Sequence, residues 1–178
     1  MPNNITLIGM PGAGKSTVGV LLAKASAKTF IDTDLIMQSA SGKLLQTLVD
    51  EMGYEGFIAL EERTILALKP QNTIIAPGGS VVYSAKAMAY LKTISQIIYL
   101  KTPLEALERR LNNIKTRGVL LQPGQTLADL YAQRTLLYEK HATAIVDCED
   151  KDIEEVINEV MARDAKKRAV ISPPFFFV

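Results

Sequence analysis

At 178 residues the chain is long enough for one compact domain with a proper core and short for two. Its 20 Lys and Arg against 19 Asp and Glu leave a formal net charge of +1, so there is no global basic field to gather nucleic acid or anionic lipid. Cys148, the only cysteine, excludes an intrachain disulfide and a Cys-rich metal cage and fits a reducing compartment. The opening MPNNITLIG enters a strand-like run with no basic n-region, and no apolar run approaches the roughly 18 residues of a membrane span. The expectation is a soluble, cytoplasmic chain, monomeric by default, with neither nucleic acid nor membrane as partner.

In chain order, Asn4–Ile8 predicts a strand, followed by a glycine loop and then Val18, Leu21, Leu22 and Ala25 at helical spacing. A second strand, Thr29–Ile31, ends at Asp32-Thr33-Asp34, and Leu35–Lys69 reads as helices interrupted near Ser41-Gly42 and Gly53. Thr73–Ala76 predicts a third strand that stops at Pro77-Gly78-Gly79, with a helix through Ala85–Lys92 after it. Gln96–Leu100 is the fourth strand, and Leu104, Leu107 and Leu111 mark a helix with Pro103 in its first turn. A polar, glycine-bearing connector, Asn112–Gln125, precedes a helix over Thr126–His141, a strand over Ala144–Asp147 and an amphipathic helix carrying Ile153, Val156, Ile157, Val160 and Met161. Five strands alternating with helices predict an α/β fold, a three-layer α/β/α sandwich around a five-stranded parallel sheet, with ligands beyond the carboxyl ends of the strands. The tail Ala169–Val178, AVISPPFFFV, is expected to pack on the core or on a neighbouring subunit, because exposing three phenylalanines is unfavourable.

The chemistry begins at Gly9-x-x-x-x-Gly14-Lys15-Ser16. This is the P-loop pattern, with a strand before it and a helix after it. Its glycines let backbone N–H groups turn toward phosphate oxygens, and the helix N-terminus adds to their field. Gly12, Ala13, Gly14, Lys15, Ser16 and Thr17 are therefore the candidate ATP cradle. Lys15 would reach the β and γ phosphates, and the Ser16 hydroxyl would ligate Mg²⁺. Asp32 and Asp34, alternate residues of an extended stretch, would aim both carboxylates at the γ-phosphate. Asp32 is the candidate for holding a Mg²⁺-bound water, and Asp34 for accepting the proton of an attacking hydroxyl, with helix capping as the competing role for Asp34.

Arg134 lies inside the apolar stripe Leu127, Leu130, Tyr131, Leu137 and Tyr138. A guanidinium there needs a buried carboxylate or an anionic substrate group. Arg117, in the connector, is the candidate lid cation that would neutralise transition-state charge. Arg109 and Arg110 open onto the same connector, and Arg110 is the candidate for stacking on the adenine face. His141, the only histidine, reads as a helix C-terminal dipole partner or a surface residue.

GMPGAGKST, DTD at 32–34, GFIALEE at 56–62, PGGSV at 77–81, RR at 109–110, TRGVLL at 116–121 and QRTLLYEKHA at 133–142 together resemble the shikimate kinase family of P-loop kinases, over about Ile5 to Ala162. The resemblance implies the P-loop NTPase fold and a single kinase domain over residues 1–178. It implies an acceptor-binding region at about 35–62, a lid at about 112–125, ATP and Mg²⁺ as cofactors, and phosphorylation of shikimate to shikimate 3-phosphate. It also gives Asp34 as base and hydroxyl contact, Gly78 and Gly79 as acceptor lining, Arg134 as the grip on the acceptor carboxylate, and Arg117 as the lid arginine.

Three departures concern the acceptor. The family's Phe-Arg-x-x-Glu is here Phe57-Ile58-Ala59-Leu60-Glu61, Pro77 replaces the first glycine of a triplet, and the lid's Arg-Pro-Leu is Arg117-Gly118-Val119. An arginine at 58 would share a helix face with Glu61. Losing that charge-assisted contact weakens an anionic ligand about tenfold to a hundredfold. Glu61 is then expected to face the pocket unpaired and to suit a neutral or amino-bearing acceptor, unless a basic residue such as Lys43 or Arg63 compensates. The alternatives are a kinase of a hydroxy amino acid or of a gluconate-type acid, and a non-catalytic nucleotide-binding protein.

Overall fold

The structure, a computed structural model, describes residues 3–111, 119–122 and 124–171, with the side chains of the last helix as far as residue 165. The element order is β1 (Ile5–Ile8), α1 (Lys15–Ala25), β2 (Thr29–Asp32), α2 (Thr33–Ser41), α3 (Leu45–Ala67), β3 (Thr73–Ala76), a short 3-10 turn (Val81–Tyr83), α4 (Ala85–Ile94), β4 (Gln96–Lys101), α5 (Leu104–Arg110), α6 (Leu127–His141), β5 (Ala144–Asp147) and α7 (Ile153–Ile171). Among the described residues the strands form one sheet in the order β2-β3-β1-β4-β5, and every neighbouring pair is parallel.

Alternation along β1 explains the three layers. Ile5 and Leu7 point to one face, where they pack with Val18 and Leu22 of α1 and Val156 and Val160 of α7. Ile8 points to the other, with Ile65 of α3, Met88 and Leu91 of α4, Leu107 of α5, and Leu130 and Tyr138 of α6. A strand buried on both faces reads as continuously apolar, and that is how a parallel sheet covered by helices is built. A third, smaller cluster, Met37, Leu48, Phe57 and Leu120, ties α2 and α3 to the chain that leads into α6.

The interruptions expected between residues 35 and 69 are present. Gly42 caps α2 at φ 68°, and Gly53, at φ 67° and ψ −176°, breaks α3 into two stretches. Only a residue without Cβ adopts such angles at no steric cost. Some boundaries differ from the sequence reading. Helix α2 starts at Thr33, not near Leu35, and its N-cap is Asp32, whose side chain accepts from the amides of Asp34 and Leu35. Pro103 is the N-cap of α5 instead of lying in its first turn, and Leu111 is its C-cap. The connector at 112–125 is described only at 119–122 and 124–125, so Arg117 lies outside the described residues, as do residues 172–178 of the tail.

Candidate active site

Four strand ends open on one cavity of about 1010 Å³, whose walls include the loop after β1, Asp32 and Asp34, Pro77 to Ser80, Arg110, Arg134, and Cys148 and Lys151 to Ile153 after β5. This is at or above the roughly 300–1,000 Å³ that accommodates a single small ligand, which leaves room for a nucleotide and a small second molecule together.

At one end the chain leaves β1 through Gly9 and turns tightly, with the Ala13 amide bonded to the Met10 carbonyl at 3.1 Å, before α1 begins at Lys15 with Gly14 as its N-cap. The Lys15 ammonium donates to the carbonyls of Gly9 at 2.9 Å and Met10 at 3.1 Å. Burial pulls its pKa down to about 8, with Arg134 adding and Asp34, Asp32 and Glu61 opposing. An ammonium held in low dielectric beside a helix N-terminus is set up to receive a polyanion.

The Ser16 hydroxyl donates to Oδ2 of Asp32 at 2.6 Å, while Oδ1 of the same carboxylate caps α2 at 3.0 Å from the Asp34 amide and 3.4 Å from that of Leu35. One aspartate thus fixes both the helix start and the hydroxyl. Asp34 is in the first turn of α2, not on an extended strand, so the reason given from the sequence for the two carboxylates converging does not hold. They approach the same cavity because the chain turns into a helix between them. Arg110 donates to the Gly12 carbonyl at 3.3 Å, and Cys148, Lys151 and Ile153 line the same cavity. Those last residues were missed from the sequence, although their place at the carboxyl end of a strand was the available signal.

At the other end, Arg134 is 1% exposed. Its Nε donates to the Tyr83 hydroxyl at 3.2 Å, its Nη2 to the Leu120 carbonyl at 3.1 Å, and its guanidinium lies 5.1 Å from the Tyr83 ring centroid. Tyr138 lies alongside, giving its hydroxyl proton to the Gly79 carbonyl at 2.7 Å. Among the described residues no carboxylate oxygen comes within 4.0 Å of Arg134. Of the two partners the sequence left open, the structure does not supply the buried carboxylate.

Asp34 and Glu61 meet across Gly78. A Cβ on Gly78 would lie 3.0 Å from Oδ1 of Asp34 and nearer still to Oε1 of Glu61, and one on Gly79 would lie 3.0 Å from Nη1 of Arg134. Both carboxylate oxygens are buried without a hydrogen-bond partner among the described residues. Burial raises the Asp34 pKa to about 6, with Asp32 adding and Lys15 opposing. Burial raises that of Glu61 to about 7, with the Ser80 hydroxyl on its Oε2 opposing and Asp34 adding. Glu61 is 2% exposed and is not part of the cavity wall. It sits behind Gly78, with Oε2 accepting from the Ser80 hydroxyl and Oε1 left without a partner among the described residues. Ile58 packs against the cluster of Met37, Leu48, Phe57 and Leu120. Neither proposed substitute for an arginine there lines the cavity, and Lys43 is bound to Glu51 at 2.5 Å on the surface.

The sequence model of the shikimate kinase family matches residues 11–165. A shikimate kinase of Nitrosospira multiformis is 39% identical over 147 residues, covering 81% of this chain and 75% of that protein. The structure of a shikimate kinase from Acinetobacter baumannii in complex with shikimate superposes with a TM-score of 0.86 at 27% identity, covering 94% of this chain and 96% of that one. A gluconokinase from Sinorhizobium meliloti shares the fold, at a TM-score of 0.53 and 18% identity over 96% of this chain and 95% of that one.

Proposed function

Because the chain belongs to the shikimate kinase family, we propose that it transfers the γ-phosphoryl group of ATP to a hydroxyl of shikimate, giving shikimate 3-phosphate. The observation that carries this reading is the meeting, in one cavity, of a half-buried Lys15 and a Ser16–Asp32 pair with Asp34 and an arginine that has no carboxylate partner among the described residues.

The loop from Gly12 to Thr17 cradles the triphosphate, with Lys15 on its terminal phosphates and Arg110 beside the base. The Ser16 hydroxyl and the Asp32 carboxylate are two hard oxygen donors 2.6 Å apart. Among the described residues no cluster of three or more His, Cys, Asp or Glu suits a metal ion. Such a sparse donor set fits Mg²⁺, which takes one or two protein oxygens and fills its octahedron from phosphates and water. Bound there, Mg²⁺ supplies neutralisation of the phosphate charge.

Asp34 receives the acceptor hydroxyl. Near neutral pH it is ionised, and its partnerless Oδ1 accepts the hydroxyl proton as the oxygen attacks phosphorus. Arg134 grips the acceptor carboxylate, and Gly78 and Gly79 let the acceptor ring approach the backbone. Arg117 is the proposed lid cation, acting from a single kinase domain. Glu61 lies behind Gly78 with Oε2 on the Ser80 hydroxyl, which favours shikimate over an amino-bearing acceptor.

The test is an ADP-release assay with Mg·ATP against shikimate, gluconate, serine, threonine and homoserine, with Lys15→Ala as control. Turnover with shikimate alone, lowered at least a hundredfold in Lys15→Ala, is expected. Turnover only with another alcohol would overturn the acceptor, and ATP binding without turnover would overturn the kinase reading.

A further inference from the structure

Arg134 carries five N–H donors in a rigid plane, and its value as a carboxylate grip depends on which edge of that plane faces the cavity. Four side-chain torsions would let the plane turn. Three contacts fix it, and two of them come from a residue that no part of the phosphoryl-transfer chemistry requires. Tyr83 accepts from Nε at 3.2 Å and lays its ring 5.1 Å from the guanidinium, and the Leu120 carbonyl takes Nη2.

Tyr83 is itself held. Its hydroxyl donates to Oε1 of Gln133 at 2.9 Å, the oxygen that also accepts from Gln125 at 3.3 Å. Its ring meets that of Tyr54, with centroids 5.9 Å apart. Because the hydroxyl proton is directed to Gln133, the oxygen lone pairs are left for Nε of Arg134. That hydrogen-bond polarity engages the Nε edge and turns Nη1 toward Gly79, where the acceptor enters. Tyr83 ends the 3-10 turn that follows Gly78, Gly79 and its N-cap Ser80, so one short segment both opens the backbone to the acceptor and orients the arginine that grips it. The ring is only half-buried, so core packing alone does not account for it.

We propose that Tyr83 is a positioning residue for the acceptor, locking Arg134 through its hydroxyl and in turn aimed by Gln133. This rests on the reading of Arg134 as the acceptor grip. Ile58 supplies no second cation on the facing helix, so the orientation of one guanidinium decides the hold on the acceptor.

The test is steady-state kinetics of Tyr83→Phe, which keeps the ring and removes the hydroxyl. The KM for shikimate should rise about tenfold, the loss expected for a hydrogen bond to a charged group. The kcat should stay within about threefold and the KM for Mg·ATP should be unchanged. Gln133→Leu should raise the same KM by a smaller factor, and should add nothing in the Tyr83→Phe background. An unchanged acceptor KM overturns the proposal. So does an equal rise in both KM values with a fall in Tm, which marks a merely structural residue.

If the wild-type protein does not turn over shikimate, the acceptor reading fails on its own. The role of Tyr83 is then decided without substrate by the Nε–H resonance of Arg134, assigned by its absence in Arg134→Lys. It should be protected from exchange in the wild type and exchange fast in Tyr83→Phe, and equal protection in both overturns the proposal.

Discussion

Glu61 shows how far a single side chain can burden a fold. Burial raises its pKa from 4.5 to about 7, so between those two values the folded chain binds a proton that the unfolded chain has released. Stability therefore falls as pH rises through that window, and above it the full difference, on the order of 3 kcal/mol, has been lost. Glu61→Gln keeps an acceptor for the Ser80 hydroxyl and removes the charge. The variant should melt several degrees above the wild type at pH 8 and level with it at pH 4.5, as followed by circular dichroism. Parallel pH profiles for the two proteins would refute this account. The residue-level chemistry was legible where a charge breaks a pattern, as Arg134 breaks an apolar stripe. Tyr83 and Ser80 gave no such sign, because a tyrosine and a serine after a glycine turn satisfy the same local rules whether or not they touch an arginine or a glutamate.

Helix α2 begins one residue after the strand that feeds it, and Asp32 makes that possible by capping with one oxygen and holding Ser16 with the other. The two duties separate by substitution. Asp32→Asn retains a capping oxygen and loses the charge, so Tm should change little while Mg²⁺-dependent turnover falls by at least tenfold. Asp32→Ala should lose turnover and also about 1 kcal/mol of stability, the usual loss on removing a cap. Equal melting temperatures for the two variants would mean that the cap contributes nothing. The sequence reading placed the strands to within a residue and the breaks at Gly42 and Gly53 correctly, since apolar runs and glycines act locally. It began α2 two residues late because it looked for the cap beside the first apolar residue, Leu35, whereas the cap bonds the second and third amides of the helix.

At the scale of the whole molecule, the order β2-β3-β1-β4-β5 puts β1 at the centre and gathers loops distant in sequence around one cavity, as Arg110 on Gly12, 98 residues apart, illustrates. Alternation of strands and helices revealed the layers. It did not reveal which strand lies beside which, since pairing is fixed by long-range contact between faces of similar apolar character, nor that Cys148 and Lys151 to Ile153 help to line the cavity. A ligand joining so many elements binds only the folded state. Mg·ATP at a hundred times its Kd should therefore stabilise the protein by about 2.7 kcal/mol, visible as a calorimetric Tm increase that Lys15→Ala abolishes. An equal increase in that variant would place the nucleotide elsewhere.

The lone guanidinium and the paired carboxyls around Gly78 are groups that the resting fold would be better off without. Selection for heat resistance alone would trade them for apolar side chains, as Ile58 already packs in its own corner. On the proposed reading, the stability given up there is what holding an acceptor requires, and the rest of the core is the reserve that carries it.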